Sequence, residues 1–427
     1  MAKTKAAPVV RDHTPQKTPY RAPLVAVTFL FFIWGFLTAL NDILIPHLKA
    51  VFDLSYTQAM LIQFAFFGAY FIMSVPSGRI VARFGYQQGI VLGLLTAGCG
   101  ALLFYPSASA PSYPLFLVAL FVLAAGITLL QVAANPYVSV LGKPETASSR
   151  LTLTQAFNSL GTTLAPYLGG LFILKAGLRA SDVMPSLSPE LLQAFRLQEA
   201  ASVKMPYLAL AAALIGFAAV MAFLKLPVIA SAEGHGHKPA GLFAALRHPH
   251  VVLGGLAIFC YVGAEVSISS FLINFLGQPD IAGLDATAAA RFVAYYWGGA
   301  MVGRFIGSAL LQRIEAGKLL GLFAAIAGGL VVTTSLTDGM VAMWAIVSIG
   351  LFNSIMFPTI FTLGISGLGH LTSQGASILV MSIIGGAIIP LVSGALADRY
   401  GIQMALLLSA ACYLYILYYG MAGSRSA

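Results

Sequence analysis

The chain has 427 residues, of which 59% are hydrophobic and 9% are charged, and its mean hydropathy is +0.89. A soluble protein carries about 25% charged residues, so this composition excludes a soluble domain and indicates a polytopic membrane protein. The net charge of +9 does not predict nucleic-acid binding, because the basic residues lie in the tails and at the ends of apolar runs. Cys99, Cys260 and Cys412 stand singly in such runs, so we predict core positions without a disulfide or a metal site.

Apolar runs long enough to cross about 30 Å of hydrocarbon occur along the whole chain. They lie at residues 24–46, 58–80, 87–105, 115–140, 151–174 and 206–225, and then at 250–275, 290–312, 318–336, 341–366, 374–397 and 402–421. The polar stretch between the two sets contains SAEGHGHKPAG, where His235 and His237 have no further metal ligands nearby. We predict an all-α integral membrane protein with twelve transmembrane helices in two six-helix bundles.

The predicted organisation has five parts. These are an N-terminal tail (1–23), an N-terminal bundle (24–225), a linker (226–249), a C-terminal bundle (250–421) and a C-terminal tail (422–427). Lys and Arg are more frequent in the connections on the side of the tails, whereas most acids fall on the opposite side. This bias predicts that the tails and the linker are cytoplasmic. The longest outer loop, residues 176–204, is predicted to hold a short surface helix.

The first span, FFIWGFLTALNDILIPHL, carries polar side chains well inside an apolar run. Trp34, Thr38 and Asn41 recur at helical spacing on one face, and Asp42 lies beside them. An Asp at the centre of a membrane helix costs about 2.5–3.5 kcal/mol, so such residues usually face a cavity and serve a function. We predict that Asp42, helped by Asn41, binds a coupling cation and that Trp34 and Thr38 contact a polar solute.

Amides and hydroxyls also line one face of other spans. They include Gln63 in the second span, Thr128, Gln131 and Asn135 in the fourth, and Thr152, Gln155, Asn158, Ser159 and Thr162 in the fifth. Pro136 frees a backbone carbonyl next to this face of the fourth span. Such groups can bind sugar hydroxyls, and they can equally hold membrane helices together. For the set on three spans we favour sugar binding, with Gln63, Gln131, Asn135, Gln155 and Asn158 as ligands.

A second buried acid, Glu265, lies in YVGAEVSISSF near the middle of the seventh span, one helical turn from Tyr261. Two interpretations stay open: cation coupling next to the substrate, with Tyr261 as a sugar contact, or a structural pair with Arg304. Arg304, in GGAMVGRFIGS, is interpreted mainly as a gating or packing charge.

The two halves of the sequence resemble each other. The fourth span reads LLQVAANPYVSVLG and the tenth reads LFNSIMFPTIFTLG, and aligning Pro136 with Pro358 places Gln131 opposite Asn353. We therefore add Asn353 to the predicted sugar ligands. Weak symmetry between halves, with helix-breaking residues at matching positions, is typical of a transporter built from two related bundles.

Long stretches of the chain resemble the major facilitator superfamily and, more narrowly, the bacterial glucose/galactose transporters of the fucose–galactose–glucose:cation symporter family. The most specific are FFIWGFLTALNDILIPHLK, MLIQFAFFGAYF, QVAANPYVSVLGKPETASSRLTLTQAFNSLGTTLAP, FCYVGAEVSISSFLINFL, YYWGGAMVGRFIGSALL and GLFNSIMFPTIF. The resemblance implies a central sugar site between two bundles, alternating access, and a multi-pass protein of the bacterial inner membrane, by default a monomer.

The resemblance also implies roles for single residues. The related fucose permeases use an acid in the first span and another in the fourth, and these positions hold Asp42 and Gln131 here. Gln131 cannot titrate, which slightly favours Na⁺ over H⁺ and leaves Glu265, where those permeases carry a Gln, as a replacement acid. Gln155 and Asn158 match their sugar-contacting amides.

These observations predict a cation-coupled symporter that takes up a hexose such as glucose or galactose with H⁺ or Na⁺ and needs no cofactor. N-acetylglucosamine, mannose and fucose stay open as substrates. A non-transporting sugar sensor and a proton-driven drug exporter are the alternatives. An enzyme is not expected, because clustered catalytic acids, histidines or cysteines near one membrane face are absent from the sequence.

Overall fold

The computed structural model describes residues 23–36, 56–109, 112–169, 204–224, 226–227 and 242–424. Within these residues the regular secondary structure is helical. The predicted surface helix of the longest outer loop lies outside the described residues, as does most of the linker. The described end of the linker forms a short 3₁₀ turn, Leu242–Arg247, in which Ala245 is fully buried.

The helices fall into two groups in chain order. The first group contains α1 (Pro23–Phe36), α2 (Tyr56–Ser109), α3 (Tyr113–Val140), α4 (Ala147–Gly169) and α5 (Lys204–Phe223). The second group contains α6 (Pro249–Leu276), α7 (Ala286–Leu310), α8 (Ala316–Leu336), α9 (Gly339–Asn353), α10 (Met356–Gly364), α11 (Thr372–Met381), α12 (Gly385–Tyr400) and α13 (Ile402–Tyr418). In the first group α2 packs on α3 and α5. In the second, α6 packs on α12 and α13, and α8 packs on α13 and α9.

The surface of the molecule is apolar. Large hydrophobic side chains such as Phe64, Phe223 and Leu414 are more than three-fifths exposed, at 66%, 87% and 67%. Eight stretches of the described chain are long and apolar enough to cross a membrane. An exposed apolar surface of this kind suits lipid and not water.

Small residues let neighbouring helices approach closely within each group, as expected where lipid removes the hydrophobic driving force between helices. A methyl group at Gly126 of α3 would overlap the backbone of Ala97 in α2, and one at Gly385 of α12 would overlap the carbonyl of Phe259 in α6. The prediction of core cysteines is wrong for Cys99, which is exposed on α2, whereas Cys412 is buried. A small apolar side chain gains nothing from burial when the outside is lipid.

Two helix junctions share one sequence pattern and one backbone conformation. Residues 77–87 read SGRIVARFGYQ and residues 393–403 read SGALADRYGIQ. The long helix α2 breaks within the first pattern at Gly85 (φ 83°, ψ 170°), and the chain turns from α12 into α13 within the second at Gly401 (φ 84°, ψ 162°). This backbone region is open essentially to glycine alone. The break divides α2 at the boundary predicted between the second and third spans.

The glutamine that closes each pattern holds the end of a neighbouring helix. Gln87 Nε2 donates to the carbonyls of Met221 and Leu224 at the end of α5, at 2.9 and 2.6 Å. Gln403 Nε2 donates to the carbonyl of Thr337 after α8, at 3.0 Å. Both amides therefore pair carbonyls that a helix end leaves without an intrahelical donor.

The two groups of helices pack closely at one end of the molecule, which we call the closed end, and α4 of the first group also runs along α7 of the second. Ser148 of α4 and Thr362 of α10 lie 2.5 Å apart between their hydroxyl oxygens. Ser149 Oγ donates to the carbonyl of Ser308 in α7 at 2.7 Å. The closed end also brings α2 against α11, because a methyl group at Gly78 would overlap the side chain of Ser377.

Candidate functional site

A cavity of about 610 Å³ lies between the two groups of helices and is called the central cavity. The first group contributes Trp34, Phe66, Phe67, Tyr70, Gln131, Gln155, Asn158 and Thr162 to its wall. The second contributes Tyr261, Val262, Glu265, Val266, Ser269, Ser270, Trp297, Arg304, Phe357, Pro358 and Ile383. Six of the predicted site residues thus meet in one space: Trp34, Gln131, Gln155, Asn158, Tyr261 and Glu265. Arg304, predicted as a gating or packing charge, lines it as well.

Backbone contact between α1 and α4 positions Trp34 and Asn158. A methyl group at Gly35 would overlap the carbonyl of Asn158, and one at Gly161 would overlap the carbonyl of Phe32. Asn158 Nδ2 also donates to the Phe31 carbonyl at 2.9 Å. That bond uses one amide hydrogen, so the amide oxygen of Asn158 and its second hydrogen are left for a ligand.

Gln131 on α3 presents a hydrogen-bond acceptor with no partner among the described residues. Its Nε2 donates to the hydroxyl of Tyr70 on α2 at 3.0 Å, while its Oε1 is buried and unpaired. A buried acceptor left without a partner costs about 1–3 kcal/mol, so a ligand hydroxyl that donates to Oε1 is favoured.

The second group contributes the charged residues of the cavity. Tyr261 OH donates to Glu265 Oε1 at 2.7 Å, one turn apart on α6. Arg304 donates from Nε to the Ser354 carbonyl at 3.3 Å and from its terminal nitrogen to Ser159 Oγ on α4. Arg304 therefore bridges the two groups of helices.

Arg304 and Glu265 share the cavity without direct contact. Arg304 and Glu265 do not approach within the 4.0 Å of an ion pair. Among the described residues such a pair joins Lys318 to Glu315, at 2.9 Å on the molecular surface. Arg304 instead finds its partners in a hydroxyl and a carbonyl. The structural pairing considered for Glu265 is therefore not formed as a close ion pair in this conformation.

Three predicted residues on the α3 and α9 helices lie outside the wall of the central cavity. Asn135 is fully buried, and Pro136 is buried beside it in α3. Asn353 donates to Tyr296 OH at 2.9 Å and accepts from Tyr413 OH at 2.7 Å. Its amide is thereby held within the second group of helices.

The remaining predicted residues are not described. Thr38, Asn41 and Asp42 lie outside the described residues, as do His235 and His237. Gln63 belongs to α2, but its side chain is not described either. Among the residues that are described, no group of three His, Cys, Asp or Glu could hold a metal ion.

Sequence reasoning missed several aromatic residues of the cavity. Phe66 and Tyr70 on α2 have ring centroids 5.3 Å apart, and Trp297 on α7 lines the cavity and is 40% exposed. The spacing of Gln63, Phe66, Phe67 and Tyr70 at i, i+3, i+4 and i+7 was a signal for one helical face. The sequence alone does not show whether a helix face with apolar aromatic rings contacts lipid or a cavity.

A cavity lined by amides, charged side chains and aromatic rings between two groups of membrane helices, closed at one end, is typical of a secondary transporter. The sequence profile of the Major Facilitator Superfamily matches residues 27–380. The chain belongs to this superfamily and, within it, to the fucose–galactose–glucose:cation symporter family.

Individual relatives match nearly the whole chain. The chain is 55% identical to the glucose/galactose transporter of Brucella abortus biovar 1 (strain 9-941), over 98% of both proteins. It is 37% identical to the L-fucose-proton symporter of Escherichia coli (strain K12), over 99% of this chain and 98% of that protein. A Major Facilitator Superfamily transporter crystallised in the outward conformation superimposes with a TM-score of 0.89 at 37% identity, over 95% of this chain and all of that one. The predicted all-helical facilitator fold and family are confirmed.

Proposed function

We propose that the chain takes up a hexose together with a cation across a bacterial inner membrane by alternating access. The observation that carries the proposal is the central cavity, where the amides of Gln131, Gln155 and Asn158 face aromatic rings and one carboxylate. Amides bond ring hydroxyls, and flat aromatic faces suit the C–H side of a sugar. The name of the Brucella relative supports glucose and galactose as substrates.

The coupling ion in this proposal is the proton. Asp42 binds it in the first span, and Glu265 is the acid that faces the sugar from the second group of helices. The E. coli relative named as a proton symporter supports H⁺, against the slight preference for Na⁺ drawn from Gln131. A carboxylate alone suffices for a proton, whereas Na⁺ requires several oxygen ligands.

The architecture in this proposal has twelve transmembrane helices, six in residues 24–225 and six in 250–421, with both termini cytoplasmic and the protein a monomer. The closed end is then cytoplasmic, because Gly78, which contacts Ser377 there, is followed in the sequence by Arg79 and Arg83. In this orientation the central cavity faces outward. The similarity to a transporter in the outward conformation supports this state.

The proposal is tested in proteoliposomes with a panel of labelled hexoses, with a pH gradient and a Na⁺ gradient imposed separately. We expect accumulation of glucose or galactose that is driven by the pH gradient and abolished by a protonophore. Accumulation driven by the Na⁺ gradient alone would show that the coupling ion is Na⁺ and not H⁺. Accumulation of mannose, N-acetylglucosamine or fucose in place of glucose and galactose would show that the substrate is that sugar. Sugar binding without counterflow would contradict transport and indicate a sensor, and drug efflux would indicate an exporter.

A further inference from the structure

A second cavity of about 510 Å³ lies at the closed end, and three helices run from the central cavity to it. On α3, Gln131 lines the central cavity and Ser139 lines the second. On α4 the corresponding residues are Gln155 and Ser148, and on α10 they are Pro358 and Thr362. Eight residues of α-helix span about 12 Å, so the two cavities are separated by no more than a few helical turns.

Each of these helices places a buried and unpaired polar side chain between the two cavities. On α3 it is Asn135, which is 0% exposed and whose Nδ2 and Oδ1 both lack a partner among the described residues. On α4 it is Thr152 and on α10 it is Thr359, each 0% exposed with an unpaired Oγ1. We call Asn135, Thr152 and Thr359 the polar seam.

Helical geometry puts each seam residue on the side of its helix that faces the cavities. Asn135 lies four residues from both Gln131 and Ser139, and Thr152 lies three from Gln155 and four from Ser148. Residues three or four apart share a helix face. Thr359 lies three residues before Thr362, whose hydroxyl meets that of Ser148 across the closed end.

The polar seam does not hold the helices together in this conformation. Polar side chains in membrane helices are commonly explained as interhelical hydrogen bonds, yet these three form none among the described residues. An unpaired buried polar group costs about 1–3 kcal/mol, a cost that disappears when the group meets water or a ligand hydroxyl. The free-energy cost of the unpaired seam residues is therefore highest while the closed end keeps them away from water.

We propose that the polar seam is the wall of the route by which the sugar leaves the central cavity. When the closed end opens, the two cavities join, and the three side chains first meet water and then bond the hydroxyl groups of the departing sugar. Their unpaired state before opening biases the protein toward opening. The sugar part of this proposal rests on the proposed function, whereas the bias does not.

The bias is tested by thiol modification of a single cysteine placed in the seam. In protein with the three native cysteines replaced by alanine, Thr152→Cys is exposed to a membrane-impermeant thiol reagent from the closed end. Adding Thr359→Val removes one unpaired hydroxyl at nearly constant volume. The closed form therefore becomes more stable, and modification of the cysteine slows about tenfold. The matched control is Thr334→Val, a buried threonine of α8 whose hydroxyl is already bonded to the Leu330 carbonyl at 2.8 Å.

An equal rate with Thr359→Val and with Thr334→Val would overturn the bias, since it would mean that water already pairs the seam in the closed form. Equilibrium sugar binding, measured on each variant, verifies that the protein is folded and that the central cavity is intact. Absence of sugar binding in the unmodified chain would contradict the proposed function while leaving the thiol result interpretable.

The release route is tested with Asn135→Leu in proteoliposomes. We expect sugar counterflow to fall at least fivefold, while the equilibrium Kd for sugar stays within twofold of the unmodified chain, because Asn135 lies outside the central cavity. Counterflow at the original rate would overturn the route. If Asn135→Leu does not fold, Thr152→Val replaces it in the same assay with the same two outcomes.

Discussion

Glu265 contributes a carboxylate to the central cavity from the second group of helices, opposite the amides of the first. Its described partner is the hydroxyl of Tyr261, and Arg304, the cation of the same cavity, bonds other groups. A carboxylate has two oxygens and about four acceptor sites, so one hydroxyl leaves most of its capacity unused. The free capacity is what a sugar hydroxyl or a proton would use.

Replacing Glu265 by Gln should weaken sugar binding and change its pH dependence. Hydrogen bonds to a charged group contribute about 1.5–3 kcal/mol, so we expect the Kd to rise tenfold or more. Titration calorimetry between pH 5 and pH 8 measures both effects. Tyr261→Phe, measured in parallel, removes the 2.7 Å hydrogen bond and keeps the carboxylate, so it separates the effect of that bond from the effect of the charge. Binding like that of the unmodified chain at every pH would assign Glu265 to structure alone.

Asp42 lies outside the described residues, and its role in coupling stays a prediction. Replacing it by Asn should abolish accumulation against a gradient, because an amide cannot carry a proton, while sugar exchange continues. Uptake and counterflow in the same vesicles separate the two activities. Concentrative uptake at the original level by Asp42→Asn would contradict the assignment.

At the scale of elements, the turns at Gly85 and Gly401 decide where helices end. Both glycines have space around them, since no atom lies within 4 Å of an added methyl group. Their backbone conformation, and not crowding, therefore requires glycine. The shared pattern around them places the same turn after α12 as within α2.

Gly85→Ala and Gly401→Ala should each lower the free energy of unfolding by about 1–3 kcal/mol, the usual cost of holding a non-glycine residue in this region. Thermal unfolding in detergent measures the loss. Gly329→Ala is the control, because it adds a methyl group to an uncrowded helical position of α8 and should cost nothing. Equal melting temperatures for all three variants would show that backbone conformation at the two turns is not limiting.

For the whole molecule, the contacts at the closed end must break during transport if access alternates. Ser149 and Ser308 exchange hydrogen bonds across this end, and their hydroxyl oxygens lie 3.3 Å apart. These are small neutral bonds, each worth about 1 kcal/mol, which suits an interface that opens in every cycle.

Cysteines at both positions, Ser149→Cys with Ser308→Cys, should form a disulfide on mild oxidation and stop transport without preventing sugar binding from the open side. A reducing agent should restore transport. The two single variants and the oxidised original chain, with its own three cysteines, are the controls. Transport by the cross-linked protein would show that the closed end does not open.

The amino-acid sequence by itself determined the membrane class, most helix positions and the family. These follow from local properties, namely the length of apolar runs, helical periodicity and contiguous motifs. Such properties can be recognised without knowing which helices are neighbours. It also indicated that Gln131, Gln155, Asn158 and Glu265 face a cavity, because a polar side chain in a membrane helix rarely faces lipid.

Only the tertiary structure decided which of those faces meet one another. Asn353 matches Gln131 in the aligned halves, yet its amide forms hydrogen bonds with Tyr296 and Tyr413. Asn135 is fully buried and is not part of the wall of the central cavity. Helical periodicity defines a face on one helix, whereas the partner of that face depends on how helices cross and how closely glycines let them approach. For the same reason the aromatic wall of Tyr70 and Trp297 became visible only once the helices were packed.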